Sequence, residues 1–250
     1  VTDNQVVLSM ETLKALFRWE NLGELHNTLY TGSSWLDEEE QQAADARAWD
    51  ELTARGLAGP QGLHPGFRSW LQTIARPAVE FYGWYQTTTV SGSVLVAALD
   101  SNAVTVKREG NSVTFEQARP DALAECLVRA LPEVGAAQGR SLNLPEVELT
   151  GNGRGYGDGE FTGFASTKEH PDARPFRQLM KEPRTGGGEL LTARRDAAGR
   201  RAKPENGINY IDIPTGRWVF QKPDEHWVTA VPGSAQIITT KLNELQASLT

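Results

Sequence analysis

The sequence predicts an α+β fold. Two helix–strands–helix halves, in a pseudo-twofold arrangement, form a largely antiparallel central sheet flanked by helical bundles. Three observations carry this expectation. Helical periodicity appears in separate stretches: the opening third, after Pro120, around Pro175–Glu182 and at the end of the chain. Between these stretches lie short alternating apolar runs separated by tight turns, the spacing of antiparallel hairpins. The same order then returns 112 positions later, the distance from Pro120 to Pro232.

Val6, Val7 and Leu8 read as an opening strand. Ser9 is placed to cap the helix that follows, with Glu11 near its positive end and Leu13, Leu16 and Phe17 as its buried stripe. A second helix is expected from about Leu36 to Arg55. Asp37, Glu38, Glu39 and Glu40 complement its first turn, Gly56 closes it, and Trp49 and Leu52 are its core candidates. A third helix, from Pro65 to Ala75, buries Phe67, Leu71 and Ile74 and ends at Pro77, which disfavours helix in the residue before it. Val79, Phe81 and Tyr85 alternate as in a half-buried strand. Val94 to Leu99 is apolar on both faces, as in a central strand covered above and below. Val104 and Val106, then Val113 and Phe115, follow after turns at Asp100–Asn102 and Glu109–Gly110. Pro120 is expected to open a helix burying Leu123, Cys126, Leu127, Ala130 and Leu131.

From Pro132 to Thr167 apolar periodicity lapses. Gly151, Gly153, Gly155, Gly157, Gly159 and Gly163 fall within thirteen residues. A flexible glycine-rich loop over about 150–165 is expected, joining halves of about 1–135 and 165–250 within one domain spanning 1–250. The second half repeats the plan. A helix around Pro175 to Glu182 buries Phe176 and Leu179, and Leu190 and Leu191 lie in a strand. A basic turn region runs from about Asp196 to Asn206. Strands at Tyr210–Ile213, Trp218–Phe220 and Trp227–Val231 are separated by turns at Pro214–Gly216 and Pro223–Asp224. Pro232 is expected to open the last helix, with Ala235, Ile238, Leu242, Leu245 and Leu249 as its seam. Under the repeat shift Phe67 falls on Leu179 and Asn102 on Pro214.

The net charge of −7 and pI of about 5.2 argue against nucleic-acid binding, which calls for a clustered positive footprint. The one basic cluster, Arg194, Arg195, Arg200, Arg201 and Lys203, reads as a solvated hairpin tip. The single cysteine, Cys126, permits no intrachain disulfide, which suits a reducing compartment. The first ten residues lack the pattern of a signal peptide, and no run reaches the ~18 apolar residues of a membrane span. A cytoplasmic location away from membranes is expected.

The search for chemistry returns little. The glycine-rich stretch contains no lysine and fails the phosphate-loop pattern, and its spacing fails the dinucleotide fingerprint. His26, His64, His170 and His226 are scattered, with no helical pair to hold a metal. Cys126 sits on an apolar helix face, where burial makes a poor nucleophile. No serine occupies a nucleophile elbow. No catalytic residue, metal or cofactor is expected. Trp49, Trp70 and Trp84 read as core, whereas Trp19, Trp35, Trp218 and Trp227 are open between core and partner anchor.

Three stretches together resemble the EspG family. They are Pro77 through Pro120, Gly187 through Asp196 with Gly199-Arg200-Arg201 after it, and above all Tyr210-Ile211-Asp212-Ile213-Pro214-Thr215-Gly216-Arg217-Trp218. The resemblance covers nearly the whole chain. It implies a non-catalytic chaperone of the type VII (ESX) secretion machinery that binds PE–PPE heterodimers chiefly through the PPE protein. Such a protein would cover an apolar tip of that partner and keep the pair soluble; weak homodimerisation is compatible with it. The resemblance also implies partner contacts from a loop, Thr87, Thr88, Thr89, Val90, Ser91 and Gly92, and from the outer face of the last helix, Gln236, Thr239, Lys241 and Asn243. Two readings compete with it. One is a hydrolase-like enzyme with a non-motif site of Asp212, Arg217 and His226 on the second sheet, which would need a deep pocket. The other is a nucleic-acid adaptor using the basic cluster.

Overall fold

The computed structural model describes residues 5–32, 36–145, 170–222 and 226–249. Trp35, the Gly151–Gly163 loop and the Pro223–Asp224 turn lie outside the described residues. Strand β1 (Gln5–Ser9) leads directly into α1 (Met10–Trp19). Ser9 caps that helix, its hydroxyl accepting the Thr12 N–H at 3.1 Å, and Leu13, Leu16 and Phe17 are buried. Helix α2 (Glu38–Ala54) opens on a reciprocal capping box between Asp37 and Glu40. Trp49 is a correction to the expected core: it is 40% exposed and meets Trp19 edge-to-face at 6.1 Å. The helix packs on α1 and not on the sheet, so only the narrow stripe of Ala48 and Leu52 is fully covered.

A small hairpin of β2 (Ala58–Gly59) and β3 (Gly62–Leu63) precedes α3 (Pro65–Ala75). A meander follows: β4 (Val79–Thr87), β5 (Ser91–Leu99), β6 (Asn102–Glu109) and β7 (Ser112–Gln117). Helix α4 (Leu123–Ala130) starts later than expected. Pro120 occupies the turn closed by the Ala122 N–H on Arg119 O at 3.1 Å, where its fixed φ is equally suitable. Strand β8 (Leu142–Pro145) lies in the stretch expected to be loose. Then come α5 (Ala173–Lys181), β9 (Gly186–Arg195), the short β10 (Arg201–Ala202), β11 (Ile208–Ile213), β12 (Gly216–Gln221), β13 (Trp227–Pro232) and α6 (Ala235–Ala247). Pro232 ends β13 and does not open α6, because Ser234 caps that helix by accepting the Ile237 N–H at 3.2 Å. Ala235 is exposed; Ile238, Leu242 and Leu249 carry the buried seam.

One large sheet has the order β1-β7-β6-β5-β4-β9-β11-β12-β13-β8. At its centre β4 and β9 pair antiparallel from Val79↔Arg194 to Thr87↔Gly186. Outward from that pair the two sides match: a meander of strands, then an edge strand drawn from the chain ahead of that meander. This is the twofold-like order that the 112-residue spacing predicts. On one face α1 and α3 cover the first meander, with α2 packed outside α1, around Leu13, Leu71, Tyr82 and Leu95, while α5 covers the second, around Phe176, Ile211 and Trp218. On the other face α4 and α6 pack together over Phe81, Val94, Leu190 and Val219. Alternation along each strand produces this division, since neighbouring residues point to opposite faces.

Candidate functional site

The expected six-residue docking loop is a tight hairpin tip. Only Thr88, Thr89 and Val90 lie between strands; Thr87 ends β4, and Ser91 and Gly92 begin β5. The Thr87 N–H donates to Val90 O at 2.7 Å. The Thr87 hydroxyl oxygen accepts the Val90 N–H at 2.9 Å and the Thr89 N–H at 3.3 Å. A side-chain hydroxyl thus fixes the turn from within. Val90, 40% exposed, is presented at its apex. Gly92 is buried.

Below the tip, Gly92, Tyr85, Gly188 and Tyr210 are successive in register across β5, β4, β9 and β11. Each tyrosine lies over the glycine beside it: an added Cβ at Gly92 would sit 2.4 Å from the Tyr85 hydroxyl, and one at Gly188 2.8 Å from that of Tyr210. The Tyr85 hydroxyl donates to Glu109, which also pairs with Lys107 Nζ at 2.9 Å. Burial, then the bond to Glu109, raises the Tyr85 pKa above the ordinary phenol value. The same bond, followed by that to Lys107, holds the Glu109 carboxyl below its usual range. Burial raises Tyr210 as well.

A groove of about 1310 Å³ opens beside the hairpin tip. Helix α5 supplies one wall with Phe176, Arg177 and Met180; the hairpin supplies Thr87, Thr88 and Ser91. Trp84, Ile211 and Phe220 line the floor together with Gly186 and Gly187 of β9. Phe176 meets Phe220 edge-to-face at 5.9 Å, and Met180 is 41% exposed. An apolar centre with polar and charged residues at its rim is the make-up of a protein–protein interface. Sequence reading missed it, because Trp84 sits in an alternating strand pattern and Met180 on a helix whose apolar face looked fully used.

The last helix stands apart from this groove. Gln236 and Asn243 are exposed, and Lys241 Nζ donates to the Gln221 side chain. Thr239, expected on the outer face, is 9% exposed, because it borders the buried Ile238–Leu242 seam. None of these four lines the groove, whereas Thr87, Thr88, Ser91 and Gly92 do.

The three residues of the enzyme reading do not converge on a cavity. Arg217 and Asp212 form a two-pronged pair, Nε to Oδ1 at 2.7 Å and Nη2 to Oδ2 at 2.9 Å, with both side chains 4% exposed. His226 is exposed, and none of the three lines this groove or a second cavity along α1 and α2. The basic cluster is also not simply a solvated tip. Arg201 pairs with Glu80, which is 2% exposed, and Arg194 donates to Leu249 O at 3.0 Å, whereas Arg200, paired with Asp196, and Lys203 are exposed. Beside Glu80, burial first, then Arg201 and Arg195, lowers the His26 pKa to about 3. Among the described residues no helix is long and apolar enough to cross a membrane, and no cluster of three metal-binding side chains occurs.

Sheet, helices and groove define a broad antiparallel scaffold with an open, apolar-floored recess beside the β4–β5 hairpin. The EspG family model matches residues 9–244, and the chain belongs to the EspG family. In fold it is similar to the Mycobacterium tuberculosis type VII secretion system chaperone EspG5, whose structure was solved in complex with the PE25–PPE41 dimer. The two are 11% identical, the match covers 98% of this chain and 97% of that one, and the TM-score is 0.67. No curated protein matches the chain by sequence.

Proposed function

We propose that this protein is a cytoplasmic, non-catalytic chaperone. It binds a PE–PPE heterodimer chiefly through the PPE protein, shields an apolar tip of that partner, and helps deliver the pair to the type VII secretion machinery. Membership of the EspG family over residues 9–244 carries the proposal. The whole-length likeness to EspG5, a chaperone solved with its PE25–PPE41 dimer, supports it. The physics agrees: an exposed apolar tip is an aggregation liability until covered, and an acidic carrier of net charge −7 stays soluble while it waits. Contact is assigned to the hairpin tip at Thr87–Ser91 with Val90 at its apex, the adjoining groove, and the exposed Gln236 and Asn243 of α6.

The test is co-expression with PE–PPE pairs from the same genome, followed by affinity capture and size-exclusion chromatography. A three-chain complex with one pair is expected, and Val90→Asp should weaken it. Co-elution with none of the pairs would overturn the proposal.

A further inference from the structure

We infer that the groove selects its partner by charge as well as by apolar fit, taking an apolar tip flanked by carboxylates. This rests on the chaperone reading and specifies what the partner's contacting segment carries. The chain as a whole is acidic, with a net charge of −7, so most of its surface repels an acidic segment. The groove has the opposite balance: Arg108, Arg177 and Arg184 line it against a single carboxylate, Glu189, among the described residues.

Among the described residues Arg108 is held by carbonyl oxygens alone. Its Nε donates to Thr28 O at 3.1 Å and its Nη1 to Gly110 O at 3.4 Å, so among the described residues no carboxylate pairs with it. Arg184 is exposed just beyond the end of α5, with no carboxylate partner among the described residues. Between these cations lies the apolar floor. Met180, 41% exposed, can mould to an irregular surface because its side chain is unbranched and polarizable. Gly186 and Gly187 leave part of the floor without side chains, which lets a partner approach the sheet backbone closely. An apolar anchor on this floor supplies affinity. Carboxylates beside it meet Arg108 and Arg184, which steers encounter and rejects basic tips.

Binding of the cognate PE–PPE pair is measured by calorimetry for the wild-type chain, Arg184→Glu and Met180→Asp, at about 50 and about 300 mM salt. Both substituted side chains are exposed, so circular dichroism should be unchanged. The expected result is a wild-type affinity that falls with salt, a loss on the order of tenfold for Arg184→Glu at low salt, and a loss at both salts for Met180→Asp. Wild-type affinity for Arg184→Glu beside a weakened Met180→Asp would overturn charge selection. Wild-type affinity for both would place the partner elsewhere, leaving the chaperone reading intact. A wild-type chain that binds no pair would remove that reading, and this inference with it.

Discussion

Arg217 and Asp212 face each other across the β11–β12 hairpin as a fully buried, two-pronged ion pair. The guanidinium does more than meet the carboxylate. Its Nη2 also donates to Pro132 O at 3.0 Å, and its Cζ lies over the Tyr210 ring, 4.3 Å from the centroid. The Arg217 backbone receives the Ala137 and Gly233 N–H groups at 3.0 and 2.7 Å. One residue therefore ties the segment after α4 and the start of α6 to the second meander. Removing one partner leaves an uncompensated buried charge. Asp212→Asn and Arg217→Met should each cost about 3–5 kcal/mol, and the double variant Asp212→Leu/Arg217→Met less than the sum. Urea unfolding of the three variants checks this; additive losses would mean that the two residues act independently.

His26 gives stability an acid limit. Its folded pKa, about 3, lies below the ordinary value of 6.5. The unfolded chain therefore takes up a proton below about pH 6.5 that the native chain refuses, so stability is full above that pH and falls as pH drops towards 3. The slope is at most about 1.4 kcal/mol per pH unit, giving about 2 kcal/mol between pH 6.5 and 5. The groups around the ring are Glu80, Arg201 and Arg195, together with Tyr82 edge-on at 4.8 Å. The depressed carboxyls of Glu109, Asp172 and Asp196 lose their stabilisation only at lower pH. His26→Asn keeps an acceptor for the Thr28 N–H and removes the titrating ring. Chemical denaturation at pH 7.5 and pH 5 should show a smaller pH difference for this variant than for the wild type.

Much of this architecture was legible because local and global signals agree. Pro65, Phe67, Leu71 and Ile74 specify α3 by cap and stripe, and the two-sided apolar run at Val94–Leu99 specifies a central strand. Trp49 misled because periodicity reports which residues share a helix face, not whether the facing element is broad enough to cover it. Pro120 and Pro232 misled because proline's fixed φ serves a turn or a strand end as well as a first helical turn. Strand β8 has only Leu142 and Leu144 turned inward, too short a pattern to register. The groove was the least legible feature. Its walls, Met180 on α5 and Thr87 on β4, are remote in sequence, and only the β4–β9 pairing brings them together.

The hairpin tip is held by one hydroxyl. Thr87→Val preserves shape and strand propensity but removes the acceptor for the Val90 and Thr89 N–H groups. A loss of about 1 kcal/mol is expected, because both bonds are exposed and water partly replaces them. Amide hydrogen exchange should quicken at Val90 and Thr89 while the β4–β5 ladder stays protected. Unchanged exchange at Val90 would show that the backbone bond from Thr87 N to Val90 O suffices to fix the turn.

Two glycines on strands should respond to alanine with opposite sign. An added Cβ at Gly188 would lie 2.2 Å from the Trp84 carbonyl oxygen and 2.8 Å from the Tyr210 ring. The first obstacle is backbone of the central strand, which cannot rotate away, so relief requires β4 and β9 to separate locally. Gly188→Ala should cost about 1–3 kcal/mol, as overpacking does in a rigid core. Gly59, on β2, has nothing within 4 Å of the same added atom. There alanine only narrows the unfolded ensemble, and a gain of about 0.4–1 kcal/mol is expected. Thermal unfolding of both variants side by side decides the matter. Equal effects would mean that the close β4–β9 approach relaxes without cost.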